Sequence, residues 1–111
     1  MTRHSQAKRL PNPVLRDLAV MGEQIKLARK RRRISIAALA ERAQCSELSV
    51  IRAERGNPTV SIGIYARLLY GLGLHGDLLL IARDDPAGRA LVDARILSKN
   101  KREENDDDLF D

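Results

Sequence analysis

Aromatic side chains are scarce in this 111-residue chain, which has no tryptophan, one phenylalanine and two tyrosines. Its core must come from Leu, Ile, Val and Ala. No alternating valine- or threonine-rich run is present either, so an all-α fold of helices packed on helices is expected. A single cysteine excludes an internal disulfide and a cysteine-rich zinc site, and fits a reducing compartment. No fully apolar run exceeds Leu78 to Ala82, far too short to cross a bilayer. The opening MTRHSQAKRLPNP lacks the apolar centre of a signal peptide, so a cytoplasmic protein with no membrane partner is expected. No nucleophile–base set, phosphate-binding glycine loop or metal cluster is evident, and His4 and His75 have no second ligand at metal spacing. The chain is therefore expected to have no catalytic residues, no cofactor and no metal.

The formal charge of +5 conceals an asymmetry. Residues 1–83 carry fifteen Lys/Arg against six Asp/Glu, a net +9, whereas residues 84–111 carry five against nine, a net −4. A basic body points to a polyanionic partner, and an acidic end to something different.

Residues 1–11 are polar and basic without periodicity, and read as a mobile arm. Asn12-Pro13 reads as an N-cap followed by proline at the first helical position. Val14, Leu18, Met21, Ile25 and Ala28 then recur every three or four residues, with Leu15 and Val20 widening the stripe. This helix is expected to reach about Arg33, ending in cations that suit a helix C-terminus, with Gly22 as a point of division. Ser35 and Ser46 cap a second and third helix, Gly56 ends the third, and Ser61 caps a fourth. Asp77 is read as the cap of a fifth helix, LLLIAR, and Asp85-Pro86 as the start of a sixth. The domain thus spans 12–83, with a short helical extension at 84–97. Residues 98–111 form an acidic tail, expected to be disordered because it has too little apolar surface to fold alone.

The stretch LAERAQCSELSVIRAERG, Leu39 to Gly56, explains why two such short helices stand side by side. Leu39, Ala40, Ala43, Cys45, Val50 and Ala53 form the seam between them, and Ala40 is small where the helices approach. Ser46, Glu47, Leu48, Ser49 and Arg52 have no burial role in that arrangement. They start at a helix N-terminus, where free N–H groups favour phosphate, on a rod of the size that enters a major groove.

These segments resemble the helix-turn-helix domain of the phage-repressor (XRE-type) regulators, from about Met21 to Ala82. The resemblance is carried by ISIAALAERA, by CSELSVIRAERG with its ERG ending at Glu54-Arg55-Gly56, and by VSIGIYARLLYGLGL. It implies a five- to six-helix, lambda-repressor-like domain with polar extensions and a structural ion pair between Arg29 and Glu54. It also implies base reading by Ser46, Glu47, Leu48, Ser49 and Arg52. Arg52 suits guanine, Glu47 cytosine N4 and Leu48 a thymine methyl. Backbone contacts are implied for Ser35, Asn57 and Thr59, with Arg31, Arg32 and Arg33 as nearby cations. The turn position usually held by glycine is Gln44, so either the turn differs or it is strained at a cost of ~1 kcal/mol.

Leu78, Leu79, Leu80 and Ile81 cannot all be buried by one face of a short helix, which suggests a homodimer interface. A two-fold dimer would set its recognition helices about 34 Å apart on double-stranded DNA carrying an inverted-repeat operator. The pattern DDPAGRALVDARIL resembles the DNA-binding partners of HipA-type kinase toxins, which would make the chain an autorepressing antitoxin with a toxin partner. Leu109 and Phe110, set among acids, read either as a docking segment or as part of a solubilising end. A stand-alone repressor and a protein-interaction module that has lost DNA reading are the other functional readings.

Overall fold

The structure is a computed structural model that describes residues 9–102. All regular structure among the described residues is helical. The chain divides into two compact units between Leu78 and Leu79.

The first unit contains α1 (Asn12–Arg31), α2 (Ile36–Ala43), α3 (Glu47–Glu54) and α4 (Ile62–Leu72). Ser35, Ser46 and Ser61 each accept a hydrogen bond from the backbone N–H three residues on, at 3.0–3.2 Å, so α2, α3 and α4 begin alike. At α1 the cap is Pro11, with no side-chain hydrogen bond, and Asn12 is already helical. Two prolines fit here because the first turn's N–H groups have no helical partner anyway.

The core joins Ile25 and Ala28 of α1, Leu39, Ala40 and Ala43 of α2, Val50 and Ala53 of α3, and Tyr65, Leu68 and Leu72 of α4. Alanine supplies four of these ten side chains, which lets short helices approach closely. The apolar stripe of α1 is buried only along its second half. Val14 is 41% exposed and Val20 56% exposed, because α2, α3 and α4 cover the helix only beyond that point.

Gly22 does not divide α1, which is continuous from Asn12 to Arg31. A Cβ on Gly22 would lie 2.6–2.7 Å from Ala53 O, Glu54 O and Gly56 N, and one on Gly56 would lie 2.6 Å from Leu18 O. Here the backbones of α1 and the end of α3 pack directly together. Gly56 also has φ 71°, so it serves as both turn and contact.

α1 stops at Arg31 rather than Arg33. Arg33 adopts φ 56°, and the N–H groups of Arg33 and Ile34 return to Lys30 O and Arg29 O, the paired bonds of a Schellman ending. α2 ends in the same way. Gln44 adopts φ 55°, ψ 50°, and the N–H groups of Gln44 and Cys45 reach Glu41 O and Ala40 O. The turn therefore keeps the left-handed geometry without glycine. Gln44→Gly should consequently raise stability by about 1 kcal/mol, read as a Tm increase of ~4–8 °C. An unchanged or lower Tm would show that the Gln44 side chain compensates for the strain.

Residues 75–80 form a 3-10 helix in place of the α-helix expected after Asp77. Asp77 lies inside it, its N–H bonded to Leu74 O. Gly73 at φ 76° and Ala82 at φ 59° turn the backbone on either side of it.

In the second unit, α5 spans Pro86–Arg102, and the N–H of Gly88 bonds Asp85 Oδ1 at 3.0 Å, making Asp85 the cap. The helix continues past Leu97 through Ser-Lys-Asn-Lys-Arg. Lys and Arg are good helix formers and suit a C-terminal dipole, so these residues extend the helix. Residues 103–111, with Leu109 and Phe110, lie outside the described residues, as do 1–8.

Candidate nucleic-acid interface

α3 is anchored along one side and open along the other. Val50, Ala53 and Glu54 are buried. Glu47, Leu48, Arg52 and Arg55 are exposed and Ile51 is half-buried, so residues 47, 51 and 55 form one row and residues 48 and 52 a second beside it. At the head of the helix, Ser46 Oγ accepts the N–H of Ser49 and its hydroxyl donates to Ser49 Oγ, both at 3.0 Å. Ser46 is thus engaged in capping, and Ser49 is half-buried. The side chains presented to a partner at this end are Glu47, Leu48 and Arg52.

The rotation of α3 is tied to α1 by a bidentate ion pair. Arg29 Nε and Nη2 donate to Glu54 Oε2 and Oε1 at 2.7 and 3.0 Å, and Nη1 donates to Ile34 O at 3.1 Å. Both side chains are under 10% exposed. The hydrogen bonds to Glu54 raise the Arg29 guanidinium pKa, outweighing the opposing effect of burial.

The neighbouring cations have separate assignments. Arg32 Nη1 donates to Ala28 O at 2.9 Å and closes the end of α1. Arg31 and Arg33 are exposed and free to meet an anion. Ser35 Oγ is occupied by the Ala38 N–H, leaving the first N–H groups of α2 open. In the loop after α3, Asn57 Oδ1 accepts both the N–H and the hydroxyl of Thr59, at 2.8 and 2.7 Å, while Tyr65 Oη donates to Asn57 O at 3.2 Å. Asn57 and Thr59 therefore organise the loop, and the Asn57 side-chain N–H donors remain for a phosphate.

A family described as a helix-turn-helix domain matches residues 20–80, more than half of the chain. The chain belongs to the helix-turn-helix family. No curated protein and no solved structure matches it. In this helix-turn-helix protein α2 and α3 are the two motif helices and Gln44 lies in the turn between them. The domain is a DNA-binding one, and no described helix is long and apolar enough to cross a membrane.

Two members of the outward face, Ile51 and Arg55, are missed by reading the motif alone. The four-residue step from Glu47 is the signal that would have found them. Cys45, beside the turn, is half-buried, and burial raises its thiol pKa while Arg67 partly opposes the shift. A thiol of that kind stays protonated at neutral pH and acts as a packing residue.

Proposed function

We propose that this protein is a sequence-specific regulator of transcription, a homodimeric repressor of its own promoter that reads an inverted repeat in double-stranded DNA and performs no catalysis. The observation that carries this is the outward face of α3, where Glu47, Leu48 and Arg52 stand exposed on a helix rigidly seated by Val50, Ala53 and the Arg29–Glu54 pair. Arg52 matches the O6 and N7 acceptors of guanine, Glu47 the N4 donor of cytosine and Leu48 a thymine methyl. Arg31 and Arg33, with the open N–H groups of α2 and the Asn57 loop, supply backbone contacts.

Dimerisation is assigned to Leu78–Ile81. Leu79, Leu80 and Ile81 are 77%, 57% and 64% exposed, an apolar cost that a second subunit would remove. In the antitoxin reading, the exposed Leu91 and Leu97 of α5 would serve a kinase toxin, and co-purification with the product of the adjacent reading frame tests that separately.

Selection of bound duplexes from a random library, at near-physiological salt, tests the regulator reading. An inverted repeat with half-sites ~10 base pairs apart is expected. Arg52→Ala should then cost ~1–3 kcal/mol and relax preference at one base pair per half-site. Binding with no consensus would replace this reading by that of an interaction module.

A further inference from the structure

Beside the buried ion pair lies an open cleft of about 280 Å³ lined by Lys26 and Arg29 of α1, Ile36 at the start of α2, and Ile51, Glu54 and Arg55 of α3. Its charges do not cancel. Glu54 is taken up by Arg29, which leaves Lys26 and Arg55 with no carboxylate partner among the described residues, a local charge of +2. Ile36 and Ile51, both half-buried, are the apolar part of its lining. Arg55 and Ile51 lie on the same row of α3 as Glu47, which sets this cleft beside the outward face of the helix. Ile36 is the first residue of α2, which brings the free N–H groups of that helix start to its edge.

We propose that this cleft is a DNA-backbone site in which Lys26 and Arg55 neutralise phosphates of one strand while Glu47, Leu48 and Arg52 read the bases. The inference rests on the DNA-binding reading above and deepens it, because it adds α1 to the contact surface and gives Arg55, at the far end of the Glu47 row, a role. Phosphate contacts of this kind set register and orientation and carry no base preference. The ion pair has a second use here: with Glu54 neutralised, a phosphate meets a net positive wall.

The test uses the full chain, a selected duplex and a scrambled duplex, with affinity measured by fluorescence anisotropy between 50 and 200 mM salt. Lys26→Gln and Arg55→Gln remove charge with little change in helix propensity, and thermal melts confirm that the variants fold. Each is expected to weaken binding to both duplexes by the same factor, leaving the ratio between them intact. Each should also lower the salt slope by about 0.9, the value for one lost phosphate contact. Arg42→Gln, at the last turn of α2, removes the same net charge away from the cleft and should leave the slope unchanged. Unchanged slopes in both cleft variants would overturn the proposal, as would an equal slope loss in Arg42→Gln, which would trace the effect to net charge. Failure of the wild-type chain to bind either duplex would instead remove the DNA-binding reading itself, so the two failures are distinguishable.

Discussion

Gly22→Ala should be among the most damaging single-methyl changes in the protein, lowering stability by about 3–5 kcal/mol and Tm by ~10–25 °C. An alanine in a helix interior ordinarily gains about 1 kcal/mol over glycine. At Gly22 the sign reverses because the new Cβ would meet three backbone atoms, Ala53 O, Glu54 O and Gly56 N, all within 2.7 Å. A flexible side chain could swing away, but these atoms belong to the end of α3 and its turn, so the two helices must separate by roughly the missing contact distance. Separation would loosen Val50 and Ala53, both fully buried, and the recognition helix with them. Gly63→Ala is the matched control. It also lies in a helix, but its nearest neighbour is Ser61 Oγ at 3.7 Å, ordinary contact, so it should be neutral or stabilising by up to about 1 kcal/mol. Urea midpoints for the two variants decide the matter, and equal midpoints would show that α1 and α3 do not pack backbone to backbone.

Gly22 also shows where sequence reading reaches its limit. Intrinsic propensity makes a glycine inside a helix a weak point, and that local view suggests a division of α1. The reason for the glycine lies some thirty residues away, at the end of α3, and no pattern within α1 carries it. What was legible was local and periodic: three serine caps, Leu39, Ala40 and Ala43 turned inward, Val50 and Ala53 seated beneath α3, and Gly56 at its end. The Val14–Val20 region shows the opposite error, since a stripe records which residues could be buried and not how far the neighbouring helices extend. Asp77 had the chemistry of a cap, but it lies inside a 3-10 helix that begins at His75, with its own N–H bonded to Leu74 O. At the candidate site the residue types were legible and their engagement was not. Ser46 and Thr59 are polar and exposed, yet their hydroxyl protons are already directed to Ser49 and Asn57.

Glu54→Ala should cost about 3–5 kcal/mol, because it strands a buried guanidinium without its carboxylate. Against a total stability of roughly 5–15 kcal/mol for a small domain, that leaves a substantial unfolded population on mild heating. The loss need not measure what the pair contributes, since removing one partner mostly exposes the desolvation cost of the other. Arg29→Met combined with Glu54→Leu removes both charges while keeping volume, and should recover most of the stability, to within ~1–2 kcal/mol of the wild type. Recovery will not be complete, because Arg29 also holds Ile34 O at 3.1 Å and so pins the chain between α1 and α2. The double variant separates stability from orientation. Two hydrogen bonds at 2.7 and 3.0 Å fix the rotation of α3 about its axis, whereas Met against Leu allows it to roll. The expected result is a protein that melts nearly as the wild type does and still binds DNA, but discriminates less between selected and scrambled duplexes. Full discrimination in the stable double variant would place the rotational constraint in the Gly22–Gly56 contact instead. Wild-type stability in Glu54→Ala alone would show that Arg29 reaches water once its partner is gone.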